Sequence, residues 1–295
     1  NLVASCAMPA SPGMKIRTDT PRVTEARKMI VELIWASGDH NCLQCESNGQ
    51  CELQDLVYRL GIEKPRFEID PPGYPADNSN TMIFRDLNKC VLCGRCIRGC
   101  NEVQVNEVLD FAQRGNRMKV GPAFDTDYID SACVFCGECL QDCPTGAIIN
   151  KQGRFQGRPW EVRKVRTTCT YCGVGCQLDL NVFNGKVVKT TSDRSYGTPN
   201  WGSLCVKGRF ANEFIHSPDR LTSPLIRKNG KLEEASWDEA LDFIAGKLKD
   251  IKAKHGPDSI GGLSSARATN EDNYIFQKFM RAAVGTNNVD HCARL

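Results

Sequence analysis

The chain carries seventeen cysteines in 295 residues, and all but Cys6 and Cys292 fall into closely spaced groups. Two runs have the form Cys-x2-Cys-x2-Cys-x3-Cys: Cys90, Cys93, Cys96 and Cys100, then Cys133, Cys136, Cys139 and Cys143, the second followed by Pro144. Three thiolates on one loop can wrap three irons of a cubane, and the fourth reaches across to the other centre. Cys90, Cys93, Cys96 and Cys143 are therefore expected to hold one [4Fe–4S] cluster, and Cys133, Cys136, Cys139 and Cys100 a second. Structural zinc favours two cysteine pairs separated by a finger, which these runs lack. Asn101 stands where Pro often follows the fourth Cys, a difference that bears on loop stiffness more than on ligation.

Two further groups differ in spacing. Cys169, Cys172 and Cys176 are followed at a distance by Cys205 and the tetrapeptide Val206-Lys207-Gly208-Arg209. On spacing alone this set suits zinc or a cubane. The segment His40-x-Cys42-x2-Cys45-x5-Cys51 offers one imidazole and three thiols, and an imidazole can reach iron through either nitrogen.

Other classes of function lose support from composition. The 38 basic and 35 acidic residues nearly balance at +3, and the basic ones are scattered, so nucleic acid is not an expected ligand. No apolar run is long enough to cross a bilayer. Disulfides at this cysteine density belong to short secreted scaffolds, so a reduced, cytoplasmic metalloprotein is the better expectation.

These groups need small modules in series to position them, since the clusters divide the chain into pieces smaller than a usual single core. Residues 1–36 contain a cysteine loop, a short strand expected at Met14–Arg17, and a helix from Pro21 whose apolar positions recur to Ile34. Residues 37–76 hold the mixed His/Cys group, an amphipathic run at Leu53, Leu56, Val57 and Leu60 closed by Gly61, and a Pro-rich connection. Residues 77–150 are the duplicated runs, and residues 151–166 a polar linker. Residues 167–220 form the next cysteine module, with a hairpin of 178–183 and 186–190 turned by Asn184-Gly185. Residues 221–295 change to an α/β pattern: a helix capped by Ser236, a strand at Ser259–Ser264, a helix over Asn270–Val284, and a strand entered at Asn287–Asp290. The fold class is an α+β multi-module iron–sulfur protein.

The third cysteine module resembles the N-terminal cluster domain of the molybdopterin oxidoreductases, in particular the catalytic alpha subunit of NAD(P)-linked formate dehydrogenases carrying molybdenum or tungsten. The duplicated runs then correspond to a bacterial-type 2[4Fe–4S] ferredoxin fold, followed by the pterin-family cluster domain and the start of an α/β pterin domain. The mixed His/Cys group resembles a module shared with complex I's large peripheral subunit and iron-only hydrogenases, where three residues normally separate His and the first Cys. Here Gly38 occupies that position and His40 is the candidate. Cys6 is similar to the last ligand of a plant-type [2Fe–2S] domain whose other ligands would precede residue 1. Cys292 reads as a buried core thiol.

The resemblance further implies that Lys207 relays electrons between the fourth cubane and the pterin. It places Ser265, Arg267, Asn270 and Asn273 near a bis-molybdopterin guanine dinucleotide cofactor. The stretch Val289–Leu295 is similar to the one preceding the family's metal-ligating selenocysteine or cysteine, so that residue is expected immediately after Leu295, and a UGA codon is the expected reason the chain stops there. The implied activity is oxidation of formate to CO2, or the reverse. Electrons would pass to a flavin- and NAD(P)-binding iron–sulfur beta subunit, with a small [2Fe–2S] gamma subunit as a further partner. The competing readings are an electron-transfer subunit of an NADH dehydrogenase, an iron-only hydrogenase, and a polyferredoxin-like carrier.

Overall fold

The structure is a computed structural model that describes residues 1–197 and 199–292. It divides into two units, Asn1–Arg163 and Lys164–Leu295.

In the first unit, helix α1 (Pro21–Ala36) starts where Thr20 accepts from the Val23 amide and Pro21 occupies the first turn. Helix α2 (Glu52–Arg59) follows Cys51 and ends before Gly61, whose φ of 62° closes it. Val31 of α1, Leu53 of α2 and Ile62 form a small core, joined by Trp35, Leu56, Val57 and Val91. The packing fixes the loop between the helices, which carries His40 and the first cysteines.

The repeat follows. Strand β1 (Ile83–Arg85) leads into helix α3 (Arg95–Arg98), a hairpin of β2 (Asp110–Ala112) and β3 (Lys119–Gly121), helix α4 (Glu138–Asp142) and strand β4 (Ile148–Asn150). β1 and β4 pair antiparallel, Phe84 opposite Ile149, so the two ends of the module close on each other. Ile83, Leu109, Val120, Tyr128, Ala147 and Ile148 fill its interior.

In the second unit, β5 (Arg163–Thr168), β6 (Gln177–Phe183) and β7 (Lys186–Thr191) form one sheet in that order. The hairpin turns at Asn184 and Gly185, with φ of 48° and 76°, the left-handed pair that matches strand twist. A short helix α5 (Val206–Phe210) starts directly after Cys205. A hairpin of β8 (Leu225–Lys228) and β9 (Lys231–Glu234) precedes helix α6 (Trp237–His255), capped by Ser236. Strand β10 (Gly262–Ser264), helix α7 (Asn270–Lys278) and strand β11 (Val289–His291) form a βαβ unit, with β10 and β11 parallel.

Three expectations need correction. Residues 14–17 form no strand; they are exposed, with no partner strand to give them a ladder. The strand expected from Ser259 begins at Gly262, because Pro257 starts a 3-10 turn that runs through Ser259. Residues 151–166 are more than a linker, because Arg158 within them clamps the loop after His40. The expected residues Ala293, Arg294 and Leu295 lie outside the described residues.

Candidate iron–sulfur centres

His40, Cys42, Cys45 and Cys51 line one cleft in the first unit, together with Lys89, Thr145 and Gly146. Cys42 opens a 3-10 turn that ends before Cys45, and Cys51 stands at the N-cap of α2. Burial pushes the Cys42 and Cys51 thiols up, and neighbouring thiols add to this. Burial also holds the His40 imidazole below its ordinary value, against an opposing hydrogen bond to the Ile34 backbone. His40 Nε2 is buried without a hydrogen-bond partner. That ring nitrogen is on a loop whose three cysteines line the same cleft, and an imidazole nitrogen without a hydrogen bond is available to iron. Gly38 explains the unusual register: a Cβ there would lie 2.5 Å from His40 Nε2 and 2.6 Å from the Asn88 carbonyl oxygen. The imidazole of residue 40 fills the space that a side chain at residue 38 would use.

The two Cys runs fold alike. Leu92 and Phe135, each two residues after the first Cys, take left-handed φ of 53° and 52°, and Gly94 and Gly137 turn the chain into α3 and α4. A left-handed non-glycine residue costs about 1–2 kcal/mol. In return, the Leu92 and Phe135 amides point at Cys90 Sγ and Cys133 Sγ, each at 3.4 Å. Cys100 lies in a π-helical widening, Gly99–Val103. Cys143 follows its helix as an extended C-cap residue instead. Cys90, Cys93, Cys96 and Cys143 line one cavity, and Cys100, Cys133, Cys136 and Cys139 line the other. Burial raises Cys90 to about 11 and Cys96 to about 12, and the charges of the other thiols in the set add to it. Burial likewise raises Cys133, Cys139 and Cys143. Thiols held so high are neutral at ordinary pH, and iron binding must displace their protons.

Sequence reasoning missed the clamp on the His40 loop. Arg158 donates to the carbonyl oxygens of Cys45 at 2.7 Å and Leu43 at 2.9 Å. The Phe155 amide donates to Glu46, which also pairs with Arg154, and a Cβ on Gly49 would meet the Trp160 ring at 2.8 Å. An Arg and a Trp in a polar stretch were the available signal. Two charge-assisted hydrogen bonds are worth about 1.5–3 kcal/mol each. Arg158→Ala is therefore expected to release iron from the His40 centre to a chelator at least about tenfold faster, with the duplicated centres unchanged. Equal release from all centres would show that Arg158 does not position this loop.

In the second unit, Cys169, Cys172, Cys176 and Cys205 come together. The Cys169 amide donates to the Cys176 carbonyl at 2.8 Å, and the thiols of Cys169 and Cys176 are raised by burial and by their neighbours, Cys172 and Cys205 among them. Lys207 is half-buried on α5, and Gly208 packs its α-carbon near Cys169, where a Cβ would lie 3.6 Å from Sγ. The loop after β10 rests on this cluster turn. Gly173 N donates to the Ala266 carbonyl at 3.4 Å, and a Cβ on Gly173 would lie 3.2 Å from Asn270 Oδ1. Asn273 Nδ2 donates to the Ser265 carbonyl at 3.1 Å, and the Arg267 amide donates to Ser265 Oγ at 3.0 Å. Asn273 thus braces the loop that presents Ser265 and Arg267. Cys292 is exposed instead of buried, 3.6 Å from Ser265 Oγ, and hydrogen bonding to Ser265 lowers its pKa. Cys6 is exposed in a turn of the first unit.

Every cysteine is a free thiol, and among the described residues no three His, Cys, Asp or Glu side chains are arranged to hold a single metal ion. Four cysteines around one cavity match the ligand number of a cubane, whose irons are spread over several ångströms. No helix among the described residues is long and apolar enough to cross a membrane.

Four protein families match along the chain. The NADH-ubiquinone oxidoreductase-G iron-sulfur binding region matches residues 27–66, and the 4Fe-4S dicluster domain matches 89–147. The molybdopterin oxidoreductase Fe4S4 domain matches 162–217, and molybdopterin oxidoreductase matches 220–295. The NADPH-Fe(3+) oxidoreductase subunit alpha of Geobacter sulfurreducens is 37% identical over 99% of this chain and 34% of its own length. An NADH-quinone oxidoreductase subunit of Rhizobium meliloti is 36% identical over 99% of this chain and 34% of its own. A Staphylococcus aureus protein named "Putative formate dehydrogenase" is 32% identical over 98% and 33%. The chain therefore spans about a third of the length of the curated relatives it matches. A solved NAD+-reducing [NiFe]-hydrogenase in its H2-reduced state aligns at TM-score 0.50 with 31% identity, covering 52% of this chain and 66% of that one.

Proposed function

From a chain in which 4Fe-4S modules run directly into molybdopterin oxidoreductase sequence, we propose that it is the electron-wiring part of a formate dehydrogenase alpha subunit. In this reading formate yields CO2, a proton and two electrons at a bis-molybdopterin guanine dinucleotide centre of molybdenum or tungsten, which supplies the redox chemistry that side chains lack. The electrons then cross four cubanes. Their proposed ligands are Cys169, Cys172, Cys176 and Cys205; the two crossed sets of the repeat; and His40 with Cys42, Cys45 and Cys51. Lys207 is the proposed relay beside the first of these. Ser265, Arg267 and Asn270 would hold the pterin, with Asn273 bracing their loop. Cys6 is the proposed contribution to a [2Fe–2S] centre.

The observation that carries this reading is the seating of the β10–α7 loop on the Cys169 cluster turn, because it joins the proposed pterin crevice to the first centre of the wire. Strand ends in α/β sheets are the usual crevice for such ligands. The proposed partners are a flavin- and NAD(P)-binding iron–sulfur beta subunit and a small [2Fe–2S] gamma subunit, in the cytoplasm.

The relatives named for NADPH and NADH favour a second reading, an electron-transfer subunit that takes its electrons from a reduced nicotinamide. Both are tested on the full-length protein purified anaerobically. Formate-dependent reduction of the clusters, with molybdenum or tungsten bound, supports the dehydrogenase. Clusters reduced only by NAD(P)H through a partner support the second reading.

A further inference from the structure

The two cavities of the repeat are alike in ligands and unlike in the charges around them. Arg85, on β1, is 5% exposed and lines the cavity of Cys90, Cys93, Cys96 and Cys143. Its Nη1 donates to the Val120 carbonyl at 3.1 Å, its Nη2 approaches Asp77 Oδ2 at 3.5 Å, and its guanidinium lies 4.7 Å over the Tyr128 ring. Arg85 Nε is buried without a partner. Asp77 is equally buried and accepts from the Tyr128 amide at 3.1 Å. Tyr128 lines the other cavity, and its hydroxyl donates to Cys139 Sγ at 3.8 Å. The repeat itself diverges in the same sense. Arg95 precedes the third cysteine of the first run and Glu138 that of the second, where Glu138 is fully buried and lines the cavity.

We propose that this buried asymmetry makes the Cys90/Cys93/Cys96/Cys143 centre the higher-potential member of the pair, with Arg85 as the residue that sets its potential. Reduction adds one negative charge to a cubane, and a buried cation beside it favours the reduced form, whereas buried carboxyl groups oppose it. Tyr128 works in the opposite direction, since a donor to Cys139 stabilises the second centre. A neutral phenol dipole carries less than the full charge of a guanidinium. An electron on the pair therefore rests at the centre next to Thr145, which also lines the His40 cleft.

The inference rests on both centres being loaded, which iron, sulfide and EPR of the unmodified protein establish first and separately. Arg85→Gln alone would strand the Asp77 carboxylate, so the test uses Asp77→Asn/Arg85→Gln in the full-length holoenzyme, with EPR-monitored redox titration. At fixed potential the reduced-to-oxidised ratio of the Cys90 centre should fall about tenfold, or 59 mV for one electron, while that of the Cys133 centre does not fall. No shift, or equal shifts, would overturn the proposal. Tyr128→Phe decides the order independently and removes no charge. The signal that it lowers belongs to the Cys133 centre; if that is the lower-potential signal the proposal stands, and if it is the higher one the proposal fails.

Discussion

The Gly146→Ala protein is expected to lose the His40 centre and keep both centres of the repeat. A Cβ at residue 146 would lie 2.5 Å from Cys45 Sγ, 3.4 Å from Ser47 Oγ and 3.6 Å from Lys89 Cδ. The chain cannot yield easily. Two residues earlier the Pro144 carbonyl accepts from the Glu52 amide at 2.9 Å, and Thr145 Oγ1 donates to the Lys89 carbonyl at 2.8 Å. Cys45 cannot yield either, because Arg158 holds its carbonyl. Overpacking of this kind costs about 1–3 kcal/mol in an ordinary core, and here it falls on a proposed ligand. The measurement is iron and acid-labile sulfide with EPR of the reduced protein: one cubane's worth of iron should be missing and one signal absent. A fully loaded variant with all signals intact would show that Cys45 is not a ligand.

The segment that makes Gly146 sensitive also joins two centres. Cys143 Sγ donates to the Thr145 carbonyl at 3.3 Å, and one residue later a Cβ on Gly146 would meet Cys45 Sγ. Three residues thus span from one thiol set to the next. If both centres load as proposed, losing the His40 centre leaves the repeat as the end of the wire in this unit. Electrons entering the repeat would then reduce it without moving on.

Much of this site is legible in the sequence because cluster ligation is local. The spacing of each Cys run fixes the loop, and the crossed grouping of the thiols follows from a fourth cysteine too far along the chain to return to its own set. Cys100 and Cys143 lie in the cavities that spacing assigns them. The Asn184-Gly185 turn and the caps at Thr20, Ser236 and Thr269 are likewise short-range signals. What the sequence hides is long-range. Arg158 is 113 residues from Cys45, and nothing in a polar stretch says where its guanidinium will dock. Arg85 reads as an ordinary strand residue until the fold buries it between two cavities. Cys292 reads as core because free cysteines usually are, yet it stands just past β11 as an exposed turn residue. The extended run 14–17 had strand-like residues and no partner, and a strand without a partner has no ladder.

His40 is where spacing and fold disagree, and it gives the sharpest test of the ligand assignment. The family spacing points to residue 38, and residue 38 is a glycine that the imidazole of His40 crowds. Two different substitutions should therefore converge. His40→Ala removes the ligand, and Gly38→Ala pushes a methyl group into the space held by Nε2 and the Asn88 carbonyl; both should leave a three-thiol centre that loses iron readily. His40→Cys should behave differently. It restores a fourth ligand but replaces a neutral imidazole by a thiolate, and the extra negative charge disfavours the reduced cluster. The expected fall is about a hundredfold in the reduced-to-oxidised ratio, about 120 mV for one electron. Redox titration by EPR distinguishes these results. If His40→Ala retains its iron and its potential, Nε2 is an orphaned loop nitrogen and another group completes the centre. If Gly38→Ala alone retains them, the loop has room that the packing of Asn88 and His40 does not provide.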